Sequence, residues 1–394
     1  MKKYTFFRRF AAMIFTGTVM LLAGCAGLTG EIRHAMDNGA VFSHDYRTLL
    51  HAPLNANTFS VPQGIRKIGD HAFSGNTAIT SVTIPEGVKS IGEAAFFGCS
   101  ALKSLSIPTS VTAIGDGAFT GIKSIRLAPG NRNFIITGSG ALIDKRNRRL
   151  LYHPPVNGKI TLPDNISAIG DQTFAFYNDL TAVTLPDGIS SIGKEAFHAC
   201  TELQKVDLPD SLKIIDDHAF AWCIKLNGII LPENLQFIGN GTFSWCGALE
   251  GICIPENVTS IGSEAFMVCS LLTAVNIPKG VKIIQQDAFN GCTSLKTIMI
   301  SPGVREIGSG AFAVCPRLTS VTFPAGLTGI GNNAFVACGK LAKAEFPASL
   351  RSVGKEAFSR TALKSVIIPA DTAAETDAFP KNCQISRFKK IISG

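Results

Sequence analysis

Charge is scarce in this chain: 17% of its 394 residues are charged, and 37 basic against 29 acidic residues leave a formal +8. Lys2, Lys3, Arg8 and Arg9 fall in a leader expected to be removed, and 37 minus these four leaves 33 against 29, or about +4. So weak a balance gives nucleic-acid binding no support. Rings that face ligands are equally rare. Only 4 Tyr and 2 Trp stand against 26 Phe, so the aromatic content reads as filling for a dry interior. Past the leader, no stretch is apolar and long enough to cross a membrane. The motifs of covalent chemistry are missing too: there is no His-Glu-x-x-His, no Gly-x-Ser-x-Gly and no Cys-x-x-Cys. His34, His44, His51, His71, His153, His198 and His218 occupy different positions of the repeat described below, and triplets such as Gly239-Asn240-Gly241 fall on its turns. No catalytic residue, metal site or cofactor is therefore expected, and the chain does not read as an enzyme.

What is present is apolar mass and punctuation. Hydrophobic residues make up 46% of the chain, enough for an extensive core. Thirty-eight Gly and 19 Pro together give about one punctuating residue in seven, which excludes long helices and a coiled coil.

The first 25 residues run basic, then apolar from Ala11 to Leu22 apart from Thr16 and Thr18, then small at Ala23-Gly24-Cys25. That order is a secretory signal, too short in its apolar part for a comfortable spanning helix. Leu22-Ala23-Gly24-Cys25 also resembles the bacterial lipobox, which implies acylation of Cys25 and anchoring by lipid alone. The alternative is an ordinary cleaved signal with an incidental cysteine. Either way export is expected, with outer-membrane or cell-surface display implied by the anchor.

A 23-residue period organises the remainder. Ile or Val recurs at 68, 91, 114, 169, 192, 215, 238, 261, 284, 307, 330 and 353, and every step but one is 23 residues. Ten of these twelve anchors are followed by Gly, and a Phe stands five residues after each, from Phe73 to Phe358. A fixed period of this length marks a solenoid whose units bury their apolar sides only by stacking. Within a unit, Val275-Asn276-Ile277 has the alternation of a short strand with one buried face, and Pro278 ends it. About eighteen residues remain per unit, enough for the crossover between parallel strands. The unit Leu-x-x-Val-x-Ile-Pro, Ile-Gly-x-x-Ala-Phe, Cys resembles the BspA-like branch of the leucine-rich-repeat proteins over residues 36 to 380. The resemblance implies a β-rich α/β leucine-rich-repeat solenoid: an open, curved parallel sheet whose convex side is short helical or irregular. It also implies binding of a protein ligand, such as a host matrix, plasma or cell-surface protein.

The one long step, from Ile114 to Ile169, holds a string, Gly140 to Pro154, that repeats Gly39 to Pro53 at an offset of 101 residues. Both copies read as two short strands joined by a polar turn. The first is expected to cap the core and the second to protrude from the array. The divisions expected are a leader (1–24), a lipidated linker (25–35), a hairpin cap with a first repeat block (36–131), a second hairpin with nine repeats (132–358) and a degenerate C-terminal cap (359–394). In that last part Ala374 replaces the anchor, and Cys383 to Phe388 reads as a closing strand.

Four features are candidates for function, each with a plain structural alternative. Cys99, Cys200, Cys223, Cys246, Cys269, Cys292, Cys315 and Cys338 share one position. Their Cβ vectors run parallel, so buried free thiols are expected rather than disulfides or metal ligands. The outward position in mid-strand runs Thr83, Ser106, Arg126, Thr161, Thr184, Asp207, Ile230, Cys253, Asn276, Met299, Thr322, Glu345 and Ile367. Ile230, Cys253 and Met299, beside Gly228 and Gly251, would make an exposed apolar patch of the kind that marks contact sites. Trp222 and Trp245, one period apart at a position otherwise mostly small, should stack; they are a candidate hot spot or simple edge packing. Lys145, Arg146, Arg148 and Arg149 crowd the tip of the second hairpin and could meet an acidic partner or lipid headgroup, or be a solvated turn. The best sequence reading is a lipid-anchored adhesin, with an interaction scaffold facing the periplasm as the alternative.

Overall fold

The computed structural model describes residues 34–35 and 39–388, so the leader and Cys25 lie outside the described residues. Contacts divide the chain into two compact units, Met1–Ile135 and Ile136–Gly394.

Every full repeat lays down a short strand around its anchor, and most add another around the Val-x-Ile segment. In the Val-x-Ile ladder, Val183, Val206 and Ile229 stand in parallel register. In the anchor ladder, Ile169, Ile192, Ile215, Ile238 and Ile261 do the same. Alternation sends one residue of each strand inward and its neighbours outward. Lys205–Asp207, for example, reads exposed, buried, half-buried. The return path, left open in sequence between helical and irregular, contains no helix among the described residues; its regular part is the anchor ladder itself.

Two local devices explain why the chain turns here. Where Gly follows the anchor it lies against the preceding repeat, as at Gly115, where a Cβ would stand 2.4 Å from the Glu93 nitrogen, and at Gly262, 2.5 Å from that of Asn240. Beyond it, residues three and seven positions after the anchor are left-handed at every repeat, as at His218 (φ 54) and Trp222 (φ 64). The turn so formed hydrogen-bonds to the next repeat, as where the Phe197 N–H donates to Ala219 O (2.8 Å) and the Phe220 N–H to Thr242 O (2.9 Å).

Between the ladders the core is a set of columns. Ten Phe rings of the second unit, from Phe174 to Phe379, stack with centroids 5.0–5.6 Å apart. Phe73, Phe96 and Phe119 stack likewise in the first unit. Each buried ring contributes about 1.5–3 kcal/mol by its removal from water. The cysteines form a second column and are free, as their spacing suggested. Each thiol donates to the carbonyl of the Phe one repeat earlier, Cys200 to Phe174 O (3.1 Å) and Cys246 to Phe220 O (3.2 Å) among them. Burial pushes the thiols of Cys99, Cys200 and Cys292 up to about 12, which keeps them protonated and inert.

The two hairpins are equivalent. Thr48–His51 pairs antiparallel with Val41–Phe42 and parallel with Lys67–Ile68. Arg149–Tyr152 does the same with Leu142–Asp144 and Ala168–Ile169, with the same register irregularity. The second hairpin is thus no protrusion: Leu142, Ile143, Leu150 and Tyr152 are buried, and it closes the core of the second unit as the first closes that of the first. Its apolar strands have a ladder to join and no reason to project. Asn76 and Tyr177 take the cysteine position in the first repeat of each unit. Asn76 Nδ2 donates to Pro53 O (2.9 Å) and the Tyr177 hydroxyl to His153 O, tying each array to its hairpin. At the far end Gln384–Phe388 pairs parallel with Ser365–Pro369, as the closing strand expected there.

Candidate binding surfaces

The outward side of the Val-x-Ile ladder changes character along the second unit. Lys205 and Asp207 form an ion pair (2.8 Å) at one end, and exposed Lys343 and Glu345 stand at the other. Between them, from Gly228 to Thr322, no outward strand position is charged, and exposed Glu250 and Lys296 stand on the rim, two residues before the inward Ile252 and Ile298. Within this window Ile230 is 86% exposed and Met299 69%, and Cys253 is an exposed free thiol. All three take the outward mid-position of the Val-x-Ile segment, Met299 within the strand Thr297–Ile300 and Ile230 and Cys253 outside any strand.

The ladder opens in the middle of the window. Residues 251–254 form no strand, although Ile252 and Ile254 remain in the core. Gly228 and Gly251 supply no side chain for cross-strand packing, and Gly weakens strands. Asn276 bridges the opening: its Oδ1 accepts from the Ile254 N–H (3.0 Å) and its Nδ2 donates to Ile254 O (2.8 Å). Asn276 therefore serves the backbone, and the patch proper is Ile230, Cys253 and Met299.

A second surface is the left-handed corner seven residues after each anchor. Trp222 and Trp245 stack there with centroids 4.4 Å apart and planes within 7°. Phe176 (39% exposed) and Val314 (45% exposed) occupy the same corner, and the sequence reading did not name them. The signal was available: the corner is Gly75, Gly98 and Gly121 in the first repeats, so any larger residue there is an addition. Beside Phe176 the His198 ring packs edge-on (5.4 Å). Burial holds the His198 pKa below its ordinary value, against the pull of Glu195 and with the help of His218.

The basic hairpin tip is engaged with its own unit. Arg146 makes a bidentate pair with buried Asp144 (3.0 and 2.6 Å). Burial opposes ionisation of Asp144, but Arg146 more than offsets it and holds the carboxyl below the usual range. Arg148 Nε donates to Asn165 O (3.0 Å), and Arg149 pairs with Asp171 (2.7 Å). Of the four cations grouped by sequence, Lys145 alone has no hydrogen bond or ion pair among the described residues; the three arginines act as staples. Among the described residues no group of three or more His, Cys, Asp or Glu could hold a metal ion.

A family model for the BspA-type leucine-rich-repeat region matches in six copies over residues 50–147, 152–273 and 259–386. The chain belongs to this BspA-type family. A leucine-rich-repeat protein from Bacteroides ovatus is 26% identical, over 92% of this chain and 99% of that one, with a TM-score of 0.53. The T. pallidum leucine-rich-repeat protein is 32% identical over 45% of this chain and 86% of its own (TM-score 0.42). The pneumococcal vaccine antigen PcpA is 23% identical over 65% of this chain and 64% of its own (TM-score 0.50). No curated protein matches significantly. Repeats of this BspA type form a non-enzymatic scaffold of a fold used for protein–protein interaction.

Proposed function

We propose that this BspA-type protein is an exported, lipid-anchored binding protein whose second unit docks a protein partner on the uncharged window around Ile230, Cys253 and Met299. One observation carries the reading: a large aliphatic and a thioether side chain stand 86% and 69% exposed in a stretch of ladder from which charge is missing. Depletion of charge at a patch centre, with polar groups at its rim, is the compositional mark of a protein interface. The repeat does not dictate either side chain, because the same position in neighbouring repeats holds Asp207, Cys253, Asn276 and Thr322.

Replacing both Ile230 and Met299 with Glu places two charges in the window and leaves the buried columns untouched. With the chain from residue 26 onward as bait, the double variant should keep its far-ultraviolet spectrum and lose at least about tenfold in affinity for the protein the unaltered chain retains. Undiminished retention would remove the window from consideration.

The Leu22-Ala23-Gly24-Cys25 tetrapeptide supports anchoring through acylated Cys25, and the partner class is then a host matrix, plasma or cell-surface protein. Protease treatment of intact cells distinguishes this adhesin from a scaffold that faces the periplasm. Digestion is the expected outcome, and protection would leave the scaffold.

A further inference from the structure

The Val-x-Ile ladder of the first unit presents a different chemistry. Its outward residues include Ser60 and Thr83, in register across Thr58–Ser60 and Ser81–Thr83, and Ser106 of Leu105–Ile107, which holds the position of Thr83 one 23-residue repeat on; all three are exposed. Arg126 continues the line, in register with Ser106. Lys103 and Lys123 lie on the rim where the chain enters these last two strands, each two residues before a residue of the pair Leu105 and Ile125. Both lysines and Arg126 are exposed and without an ion-pair partner among the described residues.

Like charges on neighbouring repeats repel, and none of the three pairs with a described carboxylate of this unit. The described carboxylates of this unit sit elsewhere: Asp70, Glu93 and Asp116 follow the anchors, and Asp45 is at the hairpin tip. Glu86 is held by Thr109 and Ser110. The large apolar residues exposed in this unit, Tyr46, Leu54 and Ile135, are not on these strands.

From the three uncompensated cations beside a line of hydroxyls we infer that this face binds an anionic polysaccharide. Protein interfaces draw most of their energy from buried aromatic, Arg and aliphatic anchors set in pockets, and this face offers none of the apolar ones. Single-stranded nucleic acid needs aromatic platforms for its bases, which are absent here as well. A sulfated or carboxylated glycan needs what is present: cations for its charges and hydroxyls for its own hydroxyls. The inference is independent of the window in the second unit, since the residues and the partner chemistry both differ.

The test uses the full chain with dextran sulfate as probe and neutral dextran as its uncharged counterpart. Dextran sulfate should bind and dextran should not. The variant Lys103→Ala/Lys123→Ala/Arg126→Ala should bind dextran sulfate at least about tenfold more weakly, with a slope of log affinity against log salt shallower by about two to three. The variant Lys296→Ala/Lys343→Ala/Lys364→Ala, which lowers net charge equally from the second unit, should bind as the unaltered chain does. Equal loss in both variants, no loss in the first, or preference for poly-glutamate over dextran sulfate would each overturn the inference. Unchanged melting of the first variant would exclude misfolding as the cause of its loss.

Discussion

The first unit fills its left-handed corner with Gly75, Gly98 and Gly121, at φ of 74, 72 and 91. The second fills the same corner with Phe176, Ala199, Trp222, Trp245, Val268, Gly291, Val314, Ala337 and Arg360, all at positive φ. Both units stack rings, anchors and strands in the same way, so the fold requires the backbone conformation and not the side chain. Glycine takes that conformation at no steric cost, whereas other residues lose about 1–2 kcal/mol each, β-branched ones most. At this corner the second unit therefore carries local strain that the first avoids, and at Phe176 and Val314 it does so with exposed apolar side chains. The outward ladders differ in parallel, with Arg126 and hydroxyls beside rim lysines in the first unit and, in the second, an apolar window whose strand positions are uncharged and whose rim carries Glu250 and Lys296. A shared interior with divergent outward positions is how one repeat architecture comes to hold two surfaces.

The largest expected effect tests the shared interior. Phe243 is fully buried between Phe220 and Phe266, 5.6 and 5.3 Å from them. Phe243→Ala should cost about 3–5 kcal/mol in chemical denaturation. Both tryptophans lie in the second unit, so their emission reports that unit alone. A cost below about 1 kcal/mol would show that the ring column does not hold the unit together.

Exchanging the corner residues sharpens the contrast at a smaller scale. Val314→Gly should stabilise by about 1 kcal/mol, because the side chain is 45% exposed and its φ of 55 is unfavourable for a β-branched residue. Gly98→Val should destabilise by about 1–2 kcal/mol. Hydrogen exchange in each unit reads both, and opposite signs from those expected would dismiss strain as the distinction.

Acid gives the smallest and most graded difference. Burial holds His153 and His198 below the ordinary histidine pKa, whereas His44, His51 and His71 of the first unit are exposed. The unfolded second unit therefore binds more protons than the folded one as pH falls through about 6.5, and its stability, fully present above that value, declines on further acidification. Tryptophan emission should show the denaturation midpoint falling from pH 7 to pH 5, and an unchanged midpoint would contradict the assignment.

The sequence made the columns legible because stacking in register forces identical residues to recur at 23-residue steps, as Ile192, Phe197 and Cys200 do with Ile215, Phe220 and Cys223. It also made the Trp222 and Trp245 stack and the exposure of Ile230, Cys253 and Met299 legible, because residues at one repeat position share one side. Contacts that cross repeats at other offsets were hidden. Each of the eight cysteines at the shared position bonds to a carbonyl 26 residues earlier, and Asn276 reaches back 22 residues to Ile254. The role of the second hairpin was hidden too, since an inserted string looks the same whether it projects or joins a ladder. Arg146, Arg148 and Arg149 read as a basic cluster because their partners Asp144, Asn165 and Asp171 are found only by the turn.

The division of surfaces between the units is tested most directly by photo-crosslinking. A benzophenone side chain placed at position 230 in one variant and at position 83 in another, each exposed to the protein partner and irradiated, reports which ladder the partner covers. The expected result is a protein adduct from position 230 and none from position 83. Adducts from position 83 alone, or equal yields from the two, would contradict the assignment of the protein partner to the second unit.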